Sequence, residues 1–361
     1  MTIYIIIIFV LLLSLCFPKK YDNKIVFPLS VFLCLVAVFR GKSVGTDIRI
    51  YNNNFFHTTL DVSTWSKFGD TFEPGFSFLM GLYRELISKT DYLTFYGLIF
   101  LVFFLGFLYY VRINDYPIKL SVLFFVLLGF YPMSFNYMRQ FFAIGLFLFA
   151  SAKLIKDKRY LWLFLIILCI GFFFHRSSLI LLGFIPLLFL SEKGVAINKK
   201  WYILLVVASF LIILVKQQFI DMVMNANFVL NLFSSNEDRY LNYIEMNSDM
   251  GYLTSLMQSL FCIFVICITP KNMLSRFEFL GYLFGVIIYN IVSIISGVAV
   301  RFPIAYLLFS TMFFSLLWYR LQSKKAIIFK STVIIYSLVY FIYNFLVLNK
   351  GEIVPYVSRF D

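Results

Sequence analysis

The sequence predicts an all-α polytopic membrane protein with about 12 transmembrane helices, and three observations carry that prediction. Of its 361 residues 61% are hydrophobic and only 14% charged, with a mean hydropathy of +0.89, far from the balance of a soluble domain. The apolar runs are about 15 to 22 residues long, the length that crosses a bilayer as a helix. The loops between them are short and rich in Lys and Arg. The runs lack the apolar/polar alternation of a barrel, so backbone polar groups must be satisfied within helices.

Read in chain order, the first span covers 2–17; its lysines follow it and no small-residue cleavage site is seen, which predicts a retained helix rather than a signal peptide. The second, 25–39, runs up to Arg40. After a long stretch, 40–91, come 92–111 and 118–135, then 138–155, which opens on Arg139 and Gln140. Spans 160–174 and 177–191 are separated by His175 and Arg176 alone. Span 201–216 precedes a second long stretch, 217–250, whose amphipathic opening suits a helix lying in the interface. Spans 251–269, 277–296, 302–319 and 331–348 complete the set. The organisation expected is a single transmembrane domain over 1–361 with two external loops, 40–91 and 217–250. All five cysteines fall inside apolar runs and read as free thiols packed as small hydrophobes.

Charge orients the chain. One set of loops holds 18 basic and 5 acidic residues, while the other holds 13 of each, so the whole net charge of +13 lies on one face. That face is assigned to the cytoplasm, which puts both termini and both long loops outside. The basic excess is thereby used up as a topology signal, leaving no surface for a nucleic-acid partner. Composition differs between the faces too: the cytoplasmic bases are 14 Lys and 4 Arg, the external ones 5 Lys and 8 Arg. Lysine is enough to hold an orientation, whereas the planar guanidinium fork matches phosphate geometry.

The cytoplasmic loops are too short for a soluble catalytic domain, so chemistry is expected outside or within the bilayer. Nucleotide-binding glycine loops, HExxH, paired CxxC and DxD motifs are all missing from the sequence, and two histidines, His57 and His175, cannot build a multi-histidine metal site. No cofactor or metal is expected. Asp70 and Glu73 together could share a divalent ion, but acids in a solvated loop account for them as well. Arg40, Arg139, Arg176 and Arg301 sit where external stretches meet spans, and Arg239 lies in the second long loop. Snorkelling to headgroups explains any one of them. Gathered together, they would suit a membrane-anchored diphosphate. His175, beside a cation at the membrane surface, suits a general base. Asp47 in GTDIRIY and Glu73 in EPGFSFL stand next to turn residues that can fix a carboxylate, either to orient sugar hydroxyls, to accept a proton, or simply to cap a helix. Tyr240 and Tyr243, after Arg239, could stack on sugars.

Five short motifs occur in order along the chain: Arg40 followed by VGTD and Tyr51, EPGF at Glu73 to Phe76, Arg139-Gln140, FHRSS around His175, and RYLNY from Arg239 to Tyr243. In this combination the chain resembles the EpsG-like branch of Wzy-type polysaccharide polymerases, over nearly its whole length. Ile48 departs from the pattern, standing where that family usually has Tyr. The resemblance implies an architecture like that of GT-C glycosyltransferases and an inverting glycosyl transfer between undecaprenyl-diphosphate-linked repeat units of O-antigen or exopolysaccharide. It places the enzyme in the bacterial inner membrane with its site on the external, periplasmic side, needing neither nucleotide sugar nor metal. The partners implied are the lipid-linked repeat units and membrane lipid, with room for a chain-length regulator. Two other classes remain open: a transporter or flippase of the same lipid, disfavoured because no ionisable residue falls mid-span, and a membrane acyltransferase using His175.

Overall fold

A computed structural model describes residues 2–65, 72–194, 197–215, 218, 252–295 and 301–360 of the chain. The expected interfacial helix of 217–250 lies almost wholly outside the described residues, as do Asp70, Arg239, Tyr240 and Tyr243. Among the described residues all regular structure is helical, apart from one isolated antiparallel bridge between Arg40 and Ser358. Among the described residues three helices are long and apolar enough to cross a membrane: Tyr92–Ile113, Met138–Lys156 and Ser323–Val347. The helices fall into two compact units, residues 1–179 with 334–361, and residues 180–333.

The first unit contains α1 (Thr2–Ser14), α2 (Asp22–Val38), α3 (Ile48–His57), α4 (Pro74–Leu86), α5 (Tyr92–Ile113), α6 (Ile118–Leu127), α7 (Phe130–Met133), α8 (Met138–Lys156) and α9 (Leu161–Phe174). Its centre is the packing of α5 on α8, with α9 against α8, and α2 against α5 and α6. Rings interlock there edge to face, Phe103 with Phe141 at 4.6 Å between centroids. The turn joining α1 to α2 is pinned by a buried ion pair, Lys119 Nζ to Asp22 Oδ1 at 2.9 Å, and Lys119 also donates to the Phe17 carbonyl.

The structure departs from the expected spans where backbone geometry overrides hydropathy. The run 118–135 reads as one helix, yet Gly129 takes φ +83° and separates α6 from α7, with Pro132 inside the second piece. Likewise 177–191 begins as the 3-10 run Arg176–Gly183 before becoming helical.

Over its described residues the first long stretch is largely helical. In α3, Ile48, Tyr51 and Phe55 recur at helical spacing and are buried; in α4, Phe76, Met80 and Tyr83 do the same. These two faces join Phe95, Tyr96 and Ile99 of α5 and Met138 and Phe142 of α8 in one cluster. The stretch thus obtains its core by docking on the long helices, each fully buried ring or aliphatic side chain contributing about 1.5–3 kcal/mol.

The segment after residue 348 is laid across the same region. Gly41 N–H donates to the Val357 carbonyl at 2.7 Å, Arg359 N–H to Phe39 at 2.8 Å, Gly45 N–H to Glu352 at 3.1 Å and Thr46 N–H to Gly351 at 3.1 Å. Arg359 pairs with Asp91 at 2.8 Å at the start of α5, and the Tyr356 hydroxyl donates to the Val36 carbonyl.

The second unit contains α10 (Phe184–Glu192), α11 (Lys199–Leu211), α12 (Tyr252–Ile268), α13 (Phe277–Ile295), α14 (Ile304–Leu307), α15 (Phe309–Arg320) and the first part of α16 (Ser323–Phe341). α13 is its hub, touching α10, α11, α12, α14 and α15. Within it Asn290 is hydrogen-bonded on both amide atoms, to Ser255 and Ser259 and to Ser209, which joins α11, α12 and α13 where no water would serve.

Candidate functional site

Glu73 occupies the N-cap position of α4, with Pro74 pre-set at the first helical residue, so its carboxylate stands at the positive end of the helix. The side chain does not cap its own helix. It turns instead toward two other elements because α4 begins against the end of α9. A Cβ at Gly75 would stand 2.8 Å from the Phe173 carbonyl oxygen, so only glycine lets the two backbones approach this closely.

Three groups converge on that carboxylate. Arg139, in the first turn of α8, forms a salt bridge from Nη1 to Glu73 Oε2. His175 Nδ1, at the C-cap of α9, lies 3.1 Å from Oε1, and the Arg176 backbone N–H donates to the same oxygen at 3.2 Å. Burial works to raise the Glu73 pKa, but the hydrogen bond with His175 and the Arg139 charge outweigh it and bring it down to about 2. The carboxylate is therefore ionised at neutral pH and can only accept. Nδ1 of His175 must then be the donor, and in the neutral ring Nε2 is the acceptor.

Arg139 is held on its other sides by aromatics. Its guanidinium lies 4.4 Å from the centre of the Phe72 ring, and its Nε donates to the Tyr51 hydroxyl at 3.3 Å. Tyr51 is buried in α3, packed on Phe72, Phe76 and Tyr96. Burial raises its pKa, so it acts as a neutral hydroxyl. Asp47 sits at the head of α3, where its carbonyl accepts from Tyr51 N–H at 3.1 Å and its carboxylate from the Thr46 hydroxyl at 3.3 Å; its charge adds to the rise in the Tyr51 pKa.

The residues singled out from the sequence thus separate into groups. Glu73, Arg139 and His175 come together, with Arg176 touching Glu73 through its backbone, while Asp47 is linked to them through the backbone of α3, by way of Tyr51. Gln140 is buried next to Arg139 on α8. Arg40 is 1% exposed, its Nη2 directed at the Met138 sulfur and its plane 4.7 Å from the Phe135 ring centre. Burial pulls its pKa down to about 10, so it remains a cation at neutral pH, sealed behind α8 rather than presented on a surface. Arg301 belongs to the second unit, just ahead of α14. Phe72 and the hydroxyl role of Tyr51 are the contributions that sequence reasoning missed. An aromatic immediately before the EPGF turn was the available signal.

The motifs that carry these side chains lie within one matched region: the family model of the EpsG family covers residues 23–358. The chain belongs to the EpsG family. For this EpsG-family chain, membership and the apolar helices together support a membrane protein with a polysaccharide-polymerase-type function in general. No curated protein and no solved structure matches it.

Proposed function

We propose that this EpsG-family protein is an inverting membrane glycosyltransferase that polymerises lipid-linked oligosaccharide repeat units at the external face of the bacterial inner membrane. The observation that carries the reading is the meeting of Tyr51, Glu73, Arg139 and His175, from four separate parts of the chain, in one partly open cluster where the side chains of Arg139 and His175 are 23% and 21% exposed. The donor is the growing glycan on undecaprenyl diphosphate, and the acceptor is a hydroxyl of the incoming lipid-linked unit.

In the proposed reaction the acceptor oxygen attacks the anomeric carbon from the face opposite the diphosphate. The new glycosidic C–O bond forms as the bond to the diphosphate oxygen breaks, and the acceptor proton passes to Nε2 of His175. Glu73 holds His175 in the tautomer that leaves Nε2 able to take that proton, as the carboxylate does in other carboxylate–histidine pairs. Arg139 and Arg176 face the charge building on the leaving diphosphate, where charged hydrogen bonds of about 1.5–3 kcal/mol each are most effective. From the sequence pattern alone, Arg239 and Arg301 are assigned to diphosphate contact, Tyr240 and Tyr243 to the sugars, and Asp47 to acceptor hydroxyls. Gln140 and Arg40 support the start of α8.

The test is incubation of the purified protein with synthetic lipid-diphosphate repeat units alone. A ladder of lengthening products without nucleotide or added cation is expected, lost in His175→Ala. Products that appear only with a nucleotide sugar, or acetylated units of unchanged length, would overturn the reading.

A further inference from the structure

A groove of about 620 Å³ opens along the first unit between α2, α5 and α8, with Ile118 of α6 at one end, and belongs to none of the groups described above. Its walls are Val26, Phe27, Val102, Leu105, Leu146 and Phe149, and its floor includes Gly106 and Gly145 where α5 and α8 touch. Phe27 is 74% exposed and Leu105 54%, so the groove opens sideways, where the bilayer would lie, rather than into the protein. Its size falls within the roughly 300–1,000 Å³ of ordinary ligand sites.

Two polar features show what kind of apolar molecule fits. Arg112, in the last turn of α5, is exposed at the groove's end beside Asn23. The nearby acids are already engaged, Asp22 with Lys119 and Asp115 with Lys156, and among the described residues Arg112 pairs with no carboxylate. Further in, the Ser30 hydroxyl is buried and has no hydrogen-bond partner. An anionic head at Arg112 and an ester carbonyl at Ser30 would satisfy both.

We propose that this groove binds one acidic glycerophospholipid, its phosphate on Arg112 and Asn23, an ester carbonyl on Ser30 and an acyl chain along Gly106 and Gly145. A polyprenyl diphosphate fits less well on two counts. Its hydrocarbon offers Ser30 no acceptor. Arg112 also lies at the other end of α5 from Tyr96 and the Glu73 cluster, ~24 Å away at 1.5 Å per residue, so a lipid held by its diphosphate at that cluster would bring only its tail toward Arg112. This distance comparison rests on the proposed function, whereas the fit of a phosphate at Arg112 and an ester carbonyl at Ser30 does not.

Native mass spectrometry of the detergent-purified protein, mixed with phosphatidylglycerol, phosphatidylcholine or undecaprenyl diphosphate, tests the site. One phosphatidylglycerol should survive activation that strips phosphatidylcholine. Arg112→Ala should reduce the phosphatidylglycerol preference at least tenfold. Leu105→Trp, at an exposed wall position that does not disturb the fold, should block retention of both phospholipids. Equal retention of the two phospholipids, an Arg112→Ala protein that keeps its preference, or a groove variant that loses undecaprenyl diphosphate while keeping phosphatidylglycerol would overturn the assignment.

Discussion

Replacing Glu73 with Gln changes one atom and removes one charge, yet the geometry leaves the amide no acceptable orientation. Oε2 accepts from Arg139 while Oε1 faces both His175 Nδ1 and the Arg176 N–H. With the amide oxygen at the Oε1 position, the NH2 group is driven against the Arg139 guanidinium. With the amide flipped, NH2 opposes the Arg176 N–H and makes Nδ1 of His175 an acceptor, which puts the ring proton on Nε2 and removes the proposed base. The fall of the Glu73 pKa from an ordinary value near 4.5 to about 2 corresponds to ~3 kcal/mol favouring the ionised form, and this is the scale of interaction the variant loses. Turnover in the lipid-diphosphate ladder assay should drop ~10²–10⁴-fold, the range expected when a positioned base or its orienting carboxylate is lost. His175→Gln should drop it to a similar level, and the double variant no further, because the two act as a unit. KM for the acceptor should move less than kcat. A Glu73→Gln enzyme with wild-type turnover, or a double variant whose losses simply multiply, would refute the tautomer argument. Gel-filtration homogeneity of each variant keeps misfolding from imitating the result.

Three more outcomes follow from the same region. Arg139→Lys keeps a positive charge but loses the fork shared between Glu73 and Tyr51, so polymer length on gels should shorten sharply at unchanged protein abundance. Gly75→Ala forces a methyl into the Phe173 carbonyl and should lower stability by about 1–3 kcal/mol, read as a reduced unfolding temperature in detergent, together with loss of polymerisation. Acid should weaken the fold through Glu73 in a defined window. Because the folded-state pKa is depressed, its contribution is complete above about 4.5 and fades as pH falls toward 2, and a Glu73→Gln protein should lack that part of the pH dependence of its unfolding temperature.

Much of the molecule was legible in the order of residues, though unevenly. Helical class and the long helices α5 and α8 follow from runs of apolar residues, a local property. Asp47, Glu73, Arg139 and His175 were distinguishable because each is a polar residue beside a turn or at the edge of an apolar run. What could not be read was their partnership. Residues 73, 139 and 175 meet only because α4 docks on α9 through Gly75, a contact that no periodicity encodes. The sequence left Glu73 open as a hydroxyl ligand, a base or a cap, and the fold directs it to His175 and Arg139. Arg40 resembles the other arginines in sequence, and only burial separates it from them. The break at Gly129 was hidden because the flanking residues are apolar on both sides, so hydropathy stays high while the backbone turns.

The crossing of the segment after residue 348 over the loop that carries Asp47 bears on how the protein matures. The turn ahead of α3 takes its bonding partners from residues 351 and 352, and Tyr356 reaches back 320 positions to Val36. Ring closures of that length form late. A chain made only as far as α16 therefore still lacks the backbone partners of the turn ahead of α3.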